Sequence, residues 1–299
     1  MTNGPALRLP DRSVRVTDLR HGPGRAVSLP AYFVLTFAFT WTFFITAAVL
    51  SASVPAGASP GPGILALVLL GTFGPAIVAV GLSARAEGAH GVRALLAPMF
   101  RWRVPARFYL FAMSFMIAIK LAFALVYRAI NHAWPPFGAG RVFLLLAAAL
   151  FSTAVGGQSG EEVGWRGYAL PRLAARFGLG AASILLGVIW AVWHLPLFYL
   201  HGVDTYGQSF AAYLLSVIAF SVVIAWLYWR TGGSLLLTML MHAAINNTKD
   251  IVPAVPRTPM NPLHPSATAA TWITIALLWI AAGYCLVRMR RAVLTPPAA

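Results

Sequence analysis

Acidic residues are scarce in this chain of 299 residues, which carries only 7 Asp and Glu against 22 Lys and Arg. Charged residues make up 10% of the sequence and apolar residues 59%, which excludes an ordinary soluble domain and predicts a polytopic helical membrane protein. A net charge of +15 would favour nucleic acid as the partner of a soluble chain. Here the arginines cluster between apolar segments, as residues that set membrane orientation do. We therefore expect membrane lipids as partners and no nucleic acid.

Cysteine is almost absent. Cys285 is the single one and lies in the last apolar segment, which excludes a disulfide framework and a cysteine metal cluster. No His or Asp stands near it in the sequence, and a lipid environment disfavours the thiolate. We interpret Cys285 as a small apolar residue and not as a nucleophile.

Apolar runs that are long enough to cross a bilayer occur eight times. The connections between them alternate between arginine-poor and arginine-rich, up to a neutral seventh connection. Arginine-rich connections stay in the cytoplasm. The sequence therefore predicts an all-α, multi-pass cell-membrane protein, a bundle of about eight transmembrane helices with both termini cytoplasmic. The runs lie at about 31–54, 63–83, 108–130, 141–170, 178–200, 208–230, 233–249 and 268–288.

The chain divides into a disordered basic cytoplasmic tail over residues 1–29, a transmembrane helical domain over 30–290 and a C-terminal tail over 291–299. The first tail is too long and too polar for a signal peptide, so we expect the first helix to be retained. Residues 84–107 interleave arginines with apolar side chains, as an interfacial helix or a plain basic loop would. Lys120, near the middle of the third helix, either snorkels or faces the bundle interior.

Two adjacent carboxylates, Glu161 and Glu162, follow a long apolar run without a turn signal, so we expect them inside the bilayer. An acidic residue at mid-membrane costs about 2.5 to 3.5 kcal/mol, so the pair needs partners, a water-filled cavity or protonation. If the helix runs unbroken to Pro171, which we expect to end it, Arg166 shares a face with Glu162 and neutralises it. Glu161 then remains available as a general base. The alternative is that all three residues only pack helices together.

Two further polar positions interrupt apolar helices. His194 follows Trp190 by one turn, and His242 precedes Asn246 by one turn, so each pair shares a helical face. A lone histidine is more often a core residue than a catalyst, but three polar islands together predict a shared site. A rise of about 1.5 Å per residue places Glu161 roughly 16 Å from the cytoplasmic end of its helix, and His194 roughly 24 Å. Helix tilt is one way to absorb that mismatch.

These residues resemble the signature of the CPBP family of intramembrane glutamic endopeptidases, which includes the CAAX-prenyl proteases and the bacterial Abi-type membrane proteases. The family pattern is Glu-Glu-x-x-x-Arg, then Phe-x-x-x-His, then His-x-x-x-Asn. Trp190 stands where the family has Phe, which preserves an aromatic neighbour. The resemblance covers about residues 141–250 and implies eight transmembrane helices. The matching positions are Glu161, Glu162, Arg166, His194, His242 and Asn246.

The resemblance implies that Glu161 and His194 activate a water for attack on a peptide carbonyl, without a cofactor or metal. It also implies that His242, as a neutral imidazole, and Asn246 stabilise the oxyanion. Glu162, Arg166 and Trp190 would support them. The implied substrate is a peptide or a membrane-anchored protein, with or without a lipid.

The sequence leaves three other hypotheses open. A zinc site is the natural mechanistic alternative because Glu and His bind zinc, but no His-Glu-x-x-His motif is present and Asn246 would have no role. A proton-coupled transporter would use the carboxylates, the histidines and Lys120 as a relay, but the sequence has no visible repeat symmetry. The third is a non-catalytic scaffold or immunity-type protein.

Overall fold

The fold is described by a computed structural model that covers residues 28–54, 58–138, 142–252 and 268–290. Over these residues the secondary structure is helical and contains no strand, which confirms the all-α class. Each of the eight predicted apolar runs contains at least one helix. The helices are α1 Leu29–Ser51, α2 Pro62–Thr72, α3 Gly74–Leu96, α4 Ala106–Asn131, α5 Val142–Val155, α6 Gln158–Glu162, α7 Leu170–Phe177, α8 Leu179–Trp193, α9 Phe210–Arg230, α10 Leu235–Thr248 and α11 Ala269–Arg290.

Five helical segments in the described part are long and apolar enough to cross a membrane alone: α1, α4, α9, α11, and α8 with the turn that follows it. Two bent segments, α2 with α3 and α5 with α6 and α7, raise the number to seven when each counts as one span. Helix α10 has 14 residues, about 21 Å of helix against a hydrocarbon thickness of about 30 Å. The chain is a polytopic membrane protein, while the count of eight spans and the cytoplasmic termini remain predictions.

The helix that carries the acid pair differs from the prediction at Pro171. The backbone turns at Gly156 and Gly157, passes through α6, and forms a π-helix over Val163–Ala169 before α7 begins. Pro171 lies in the first turn of α7, where its missing N–H is tolerated, and the helix continues to Phe177. The expectation that Pro171 ends the helix is therefore wrong. A π-helical turn of this kind often lies at a functional site.

Close glycine contacts press the acid-pair segment against the break between α2 and α3. A Cβ atom added to Gly160 would lie 2.8 Å from the Cα of Phe73, and one added to Gly164 would lie 2.4 Å from the Cβ of Pro75. The break itself bends the chain by 41° between Thr72 and Gly74. This contact places α2 beside the carboxylates, on the side where the cavity described below opens.

The structure covers some of the charged segments that lie outside the acid pair. Lys120 is 3% exposed in α4, so it faces the bundle interior and does not snorkel. Helix α3 extends through the first part of the basic stretch 84–107, with a break at Gly88, so this part is helical; its position relative to the membrane stays a prediction. Ser28 caps the N-terminus of α1, so the last two residues of the predicted tail, 28 and 29, belong to this helix and its cap. Residues 1–27 and 291–299 of the predicted tails lie outside the described residues.

Helices α8 and α9 pack closely at Gly187, which generates a test of the fold. A Cβ atom at Gly187 would lie 2.7 Å from the Cα of Ile218, and backbone cannot move aside as a side chain can. We expect Gly187→Ala to lower the free energy of unfolding by about 1 to 3 kcal/mol through overpacking. The measurement is the apparent midpoint of heat unfolding in detergent. Gly81→Ala, at a helical glycine with open space around it, is the matched control and should not lower the midpoint.

Candidate active site

A cavity of about 320 Å³ brings together residues from five helices of the described part. One side is polar and contains Glu161, His194 and Asn246, three of the positions that the sequence predicted for the site. Gln158 and Thr72 complete this polar side. The opposite wall is apolar, and its side chains come mainly from α1, α2 and the end of α8: Phe44, Leu65, Val68, Leu69, Trp193 and Leu197.

Glu161 and His194 face each other across one side of the cavity. The Oε2 atom of Glu161 lies 3.9 Å from the Nε2 atom of His194, and both side chains are largely buried. His194 directly follows the last residue of α8. It lies beside Glu161, although the helix-rise estimate from the sequence placed it about 8 Å deeper. The same Oε2 atom accepts a hydrogen bond of 2.6 Å from the indole Nε1 of Trp190.

The backbone fixes which nitrogen of His194 faces the cavity. The Nδ1 atom of His194 is 2.8 Å from the carbonyl oxygen of Trp190. A carbonyl oxygen only accepts hydrogen bonds, so Nδ1 carries the proton. In the neutral ring the Nε2 atom is then a free acceptor, directed at the Glu161 side of the cavity.

Glu162 is held by two partners in a fully buried cluster. Its Oε1 atom lies 2.7 Å from Nη1 of Arg166 and 3.0 Å from Nδ1 of His242. Glu162 and Arg166 have side chains that are 0% exposed. The structure thus pairs Glu162 with Arg166, as the spacing of four residues predicts. The contact with His242, 80 residues further along the chain, has no signal in the sequence.

This contact changes what His242 is able to do. A carboxylate that is paired with Arg166 accepts hydrogen bonds, so the Nδ1 atom of His242 donates to Glu162. A neutral ring with its proton on Nδ1 has no proton on Nε2. The neutral His242 that we expected at the oxyanion therefore has no free donor, and only the doubly protonated ring offers one.

The sequence reasoning missed two features of the cavity. Gln158 lines it three residues before Glu161, and this helical spacing was a usable signal. The Oε1 atom of Gln158 is buried and has no hydrogen-bond partner among the described residues. The second feature is the hydrogen bond from Trp190 to Glu161, since Trp190 was expected only as an aromatic neighbour. Asn246 lines the cavity with an exposed side chain.

Glu161 and His194 are the candidate ligands for a metal ion at the cavity. Over the described residues, no group of three or more His, Cys, Asp or Glu side chains is close enough to hold such an ion. A zinc ion at this place would take further ligands from Gln158, Asn246 or water, which is an unusual set for zinc.

Comparisons with known proteins identify relatives of this region. Residues 140–248 match a family model described as type II CAAX prenyl endopeptidase Rce1-like. A curated protein named CAAX prenyl protease 2, from Methanococcus maripaludis, is 27% identical over 252 residues, which cover 74% of this chain and 83% of the relative. All the site positions named above from α6, α8 and α10 fall within the matched range. The resemblance drawn from the three motifs is confirmed, and it supports membrane protease activity of the CAAX type.

The buried cluster leads to a test of the ion pair between Glu162 and Arg166. We expect Arg166→Met to cost about 3 to 5 kcal/mol of stability, because it leaves the Glu162 charge buried beside His242 alone. Combining it with Glu162→Gln removes that charge and should recover at least half of the loss. The apparent unfolding midpoints of both variants in detergent provide the comparison. A double variant as unstable as the single one would contradict this explanation.

Proposed function

We propose that this chain is a member of the CPBP/CAAX protease family and an intramembrane endopeptidase whose catalytic water is activated by Glu161 and His194. One observation carries the proposal. Two hydrogen-bond acceptors, Oε2 of Glu161 and Nε2 of His194, lie 3.9 Å apart on the wall of one cavity. Two hydrogen bonds of about 2.8 Å from a single water span about this separation.

A water between these two acceptors would be oriented for attack. It donates one hydrogen bond to Glu161 and the other to His194, so its lone pairs point away from both, into the cavity. Glu161 takes one proton as the water oxygen forms a bond to the peptide carbonyl carbon, and the carbonyl electron pair moves to oxygen. When the tetrahedral intermediate collapses, the C–N bond breaks, and the proton held by Glu161 passes to the leaving amine.

The oxyanion would be stabilised by Asn246 and His242. The side-chain amide of Asn246 is a donor at the cavity. His242 would act as an imidazolium that donates through Nδ1 to Glu162 and through Nε2 to the developing oxyanion. The anionic Glu162 stabilises that charge, and a buried, preorganised donor is worth more than one in water. This role differs from the neutral imidazole of the sequence-based expectation.

The substrate that fits best is a peptide segment carried close to the membrane by a lipid or by a transmembrane anchor. The relative from Methanococcus maripaludis is named for CAAX prenyl proteins. The apolar wall of the cavity, with Leu65, Leu69 and Leu197, would contact an apolar group next to the scissile bond. The family match favours this peptidase over the transporter. The approach of Glu161 and His194 at the cavity favours it over a non-catalytic scaffold or immunity protein of the same family.

Glu161→Gln is the direct test of the proposed base. The substitution keeps the size of the side chain and an oxygen that accepts from Trp190, but it removes the basic carboxylate. We expect cleavage to fall by at least about a thousandfold with the fold intact. The assay uses the purified full chain in liposomes with paired peptides, farnesylated and unmodified, and mass spectrometry of the products.

Glu87→Gln, at a carboxylate remote from the cavity, is the matched control and should cleave like the wild type. Unchanged cleavage by the Glu161 variant would overturn the mechanism. Proton-coupled solute uptake without peptide cleavage would instead favour the transporter.

The metal alternative has a separate test. We expect a strong chelator to leave the cleavage rate unchanged after prolonged incubation, because the proposed mechanism uses only side chains and water. The rate is measured with the same peptides before and after chelation. Loss of activity that added zinc restores would show that the pair of Glu161 and His194 binds a metal.

A further inference from the structure

Trp190 contacts residues of both the cavity pair and the buried cluster. Its indole Nε1 donates to Glu161, and its carbonyl oxygen accepts from Nδ1 of His194. The face of its ring lies 4.4 Å from Cζ of Arg166. The ring meets His242 edge-on, with 5.1 Å between the centroids. The residue therefore joins the cavity pair to the buried cluster.

Arg166 has N–H donors that could bind Glu161 in place of the indole of Trp190. Its Nε and Nη2 atoms are buried and have no partner among the described residues. The guanidinium interacts electrostatically with Glu161 as well as with Glu162. If the Glu161 carboxylate rotated towards these free donors, it would form a second buried ion pair. In that position it would no longer present its oxygen to a water beside His194.

We propose that Trp190 is a positioning residue whose indole N–H holds Glu161 towards His194 and keeps it out of an ion pair with Arg166. The inference rests on the peptidase function proposed above. A phenylalanine, which the family pattern has at this place, would keep a ring near Arg166 and His242 but would supply no donor. The replacement of Phe by Trp thus adds a functional hydrogen bond and not only a larger ring.

Trp190→Phe tests the hydrogen bond through steady-state kinetics. We expect kcat to fall roughly tenfold, the size of effect typical of a lost hydrogen bond to a charged group. KM should stay within about twofold, since the base and not the substrate contact is displaced. Both constants are measured with the full chain in liposomes on the peptide that the wild type cleaves best.

Trp165→Phe is the matched control for the loss of ring volume. Trp165 is 0% exposed, and its indole nitrogen has no partner among the described residues, so the same substitution removes no hydrogen bond. We expect its kcat to equal that of the wild type. An equal loss of kcat in both variants would show that packing is responsible and would overturn the inference, as would an unchanged kcat in Trp190→Phe.

An isosteric replacement separates the donor from the ring if Trp190→Phe folds poorly. A benzothienylalanine at position 190 keeps the bicyclic shape but has sulfur in place of the N–H group. We expect it to reproduce the roughly tenfold loss of kcat. A wild-type kcat with this side chain would show that the donor is dispensable and that the inference is wrong.

A spectroscopic measurement tests the positioning role independently of turnover. The ultraviolet resonance Raman bands of Trp190 are isolated by subtracting the spectrum of Trp190→Phe from that of the parent protein. We expect the band that reports hydrogen bonding at the indole N–H to shift towards a free N–H when Glu161→Ala removes the acceptor. An unshifted band would overturn the inference even in an active enzyme. A shifted band in a chain that cleaves no peptide would sink the peptidase proposal and leave the hydrogen bond established.

Discussion

The pairing of the fully buried Glu162 is the constraint on which the rest of the site depends. A carboxylate that is 0% exposed within a membrane protein has to be neutralised, and Arg166 on the same helical face does so at 2.7 Å. His242 donates a second hydrogen bond to the same carboxylate oxygen from α10, a helix of 14 residues. The hydrogen bond from His242 to Glu162 therefore connects two distant parts of the chain, and the cavity lies beside this contact.

The two adjacent carboxylates have opposite environments because of this arrangement. The Oε1 atom of Glu162 pairs with Arg166 and His242 inside the protein, whereas Glu161 accepts one hydrogen bond from Trp190 and lines the cavity. Nearest neighbours in a helix point in directions about 100° apart, so two adjacent carboxylates can lie in different surroundings. The two carboxylates therefore have separate partners and do not share a proton between them.

The sequence predicts the parts of this structure that depend on local periodicity. Long apolar runs predict the helices, and the spacing of four residues predicts the contact of Glu162 with Arg166. The interruptions were not predicted, since the apolar runs are continuous in the sequence across Phe73 and across Gly156, where the backbone bends. The partner of His242 and the indole donor to Glu161 depend on side-chain directions across helices, which no spacing encodes.

The π-helix over Val163–Ala169 determines how the acid-pair segment would respond to the loss of a residue. A π-helical turn contains one residue more than the α-helical path it replaces, so the segment behaves as an α-helix with a retained insertion. Loss of a single residue from the π-helix after Arg166 would restore ordinary helix geometry with little change in the direction of the carboxylates relative to α7, whereas loss of a residue from an α-helical turn would rotate what precedes it by about 100°. Among related chains, the loss of one residue should therefore be tolerated better in the last part of this π-helix than in the α-helical turns beside it.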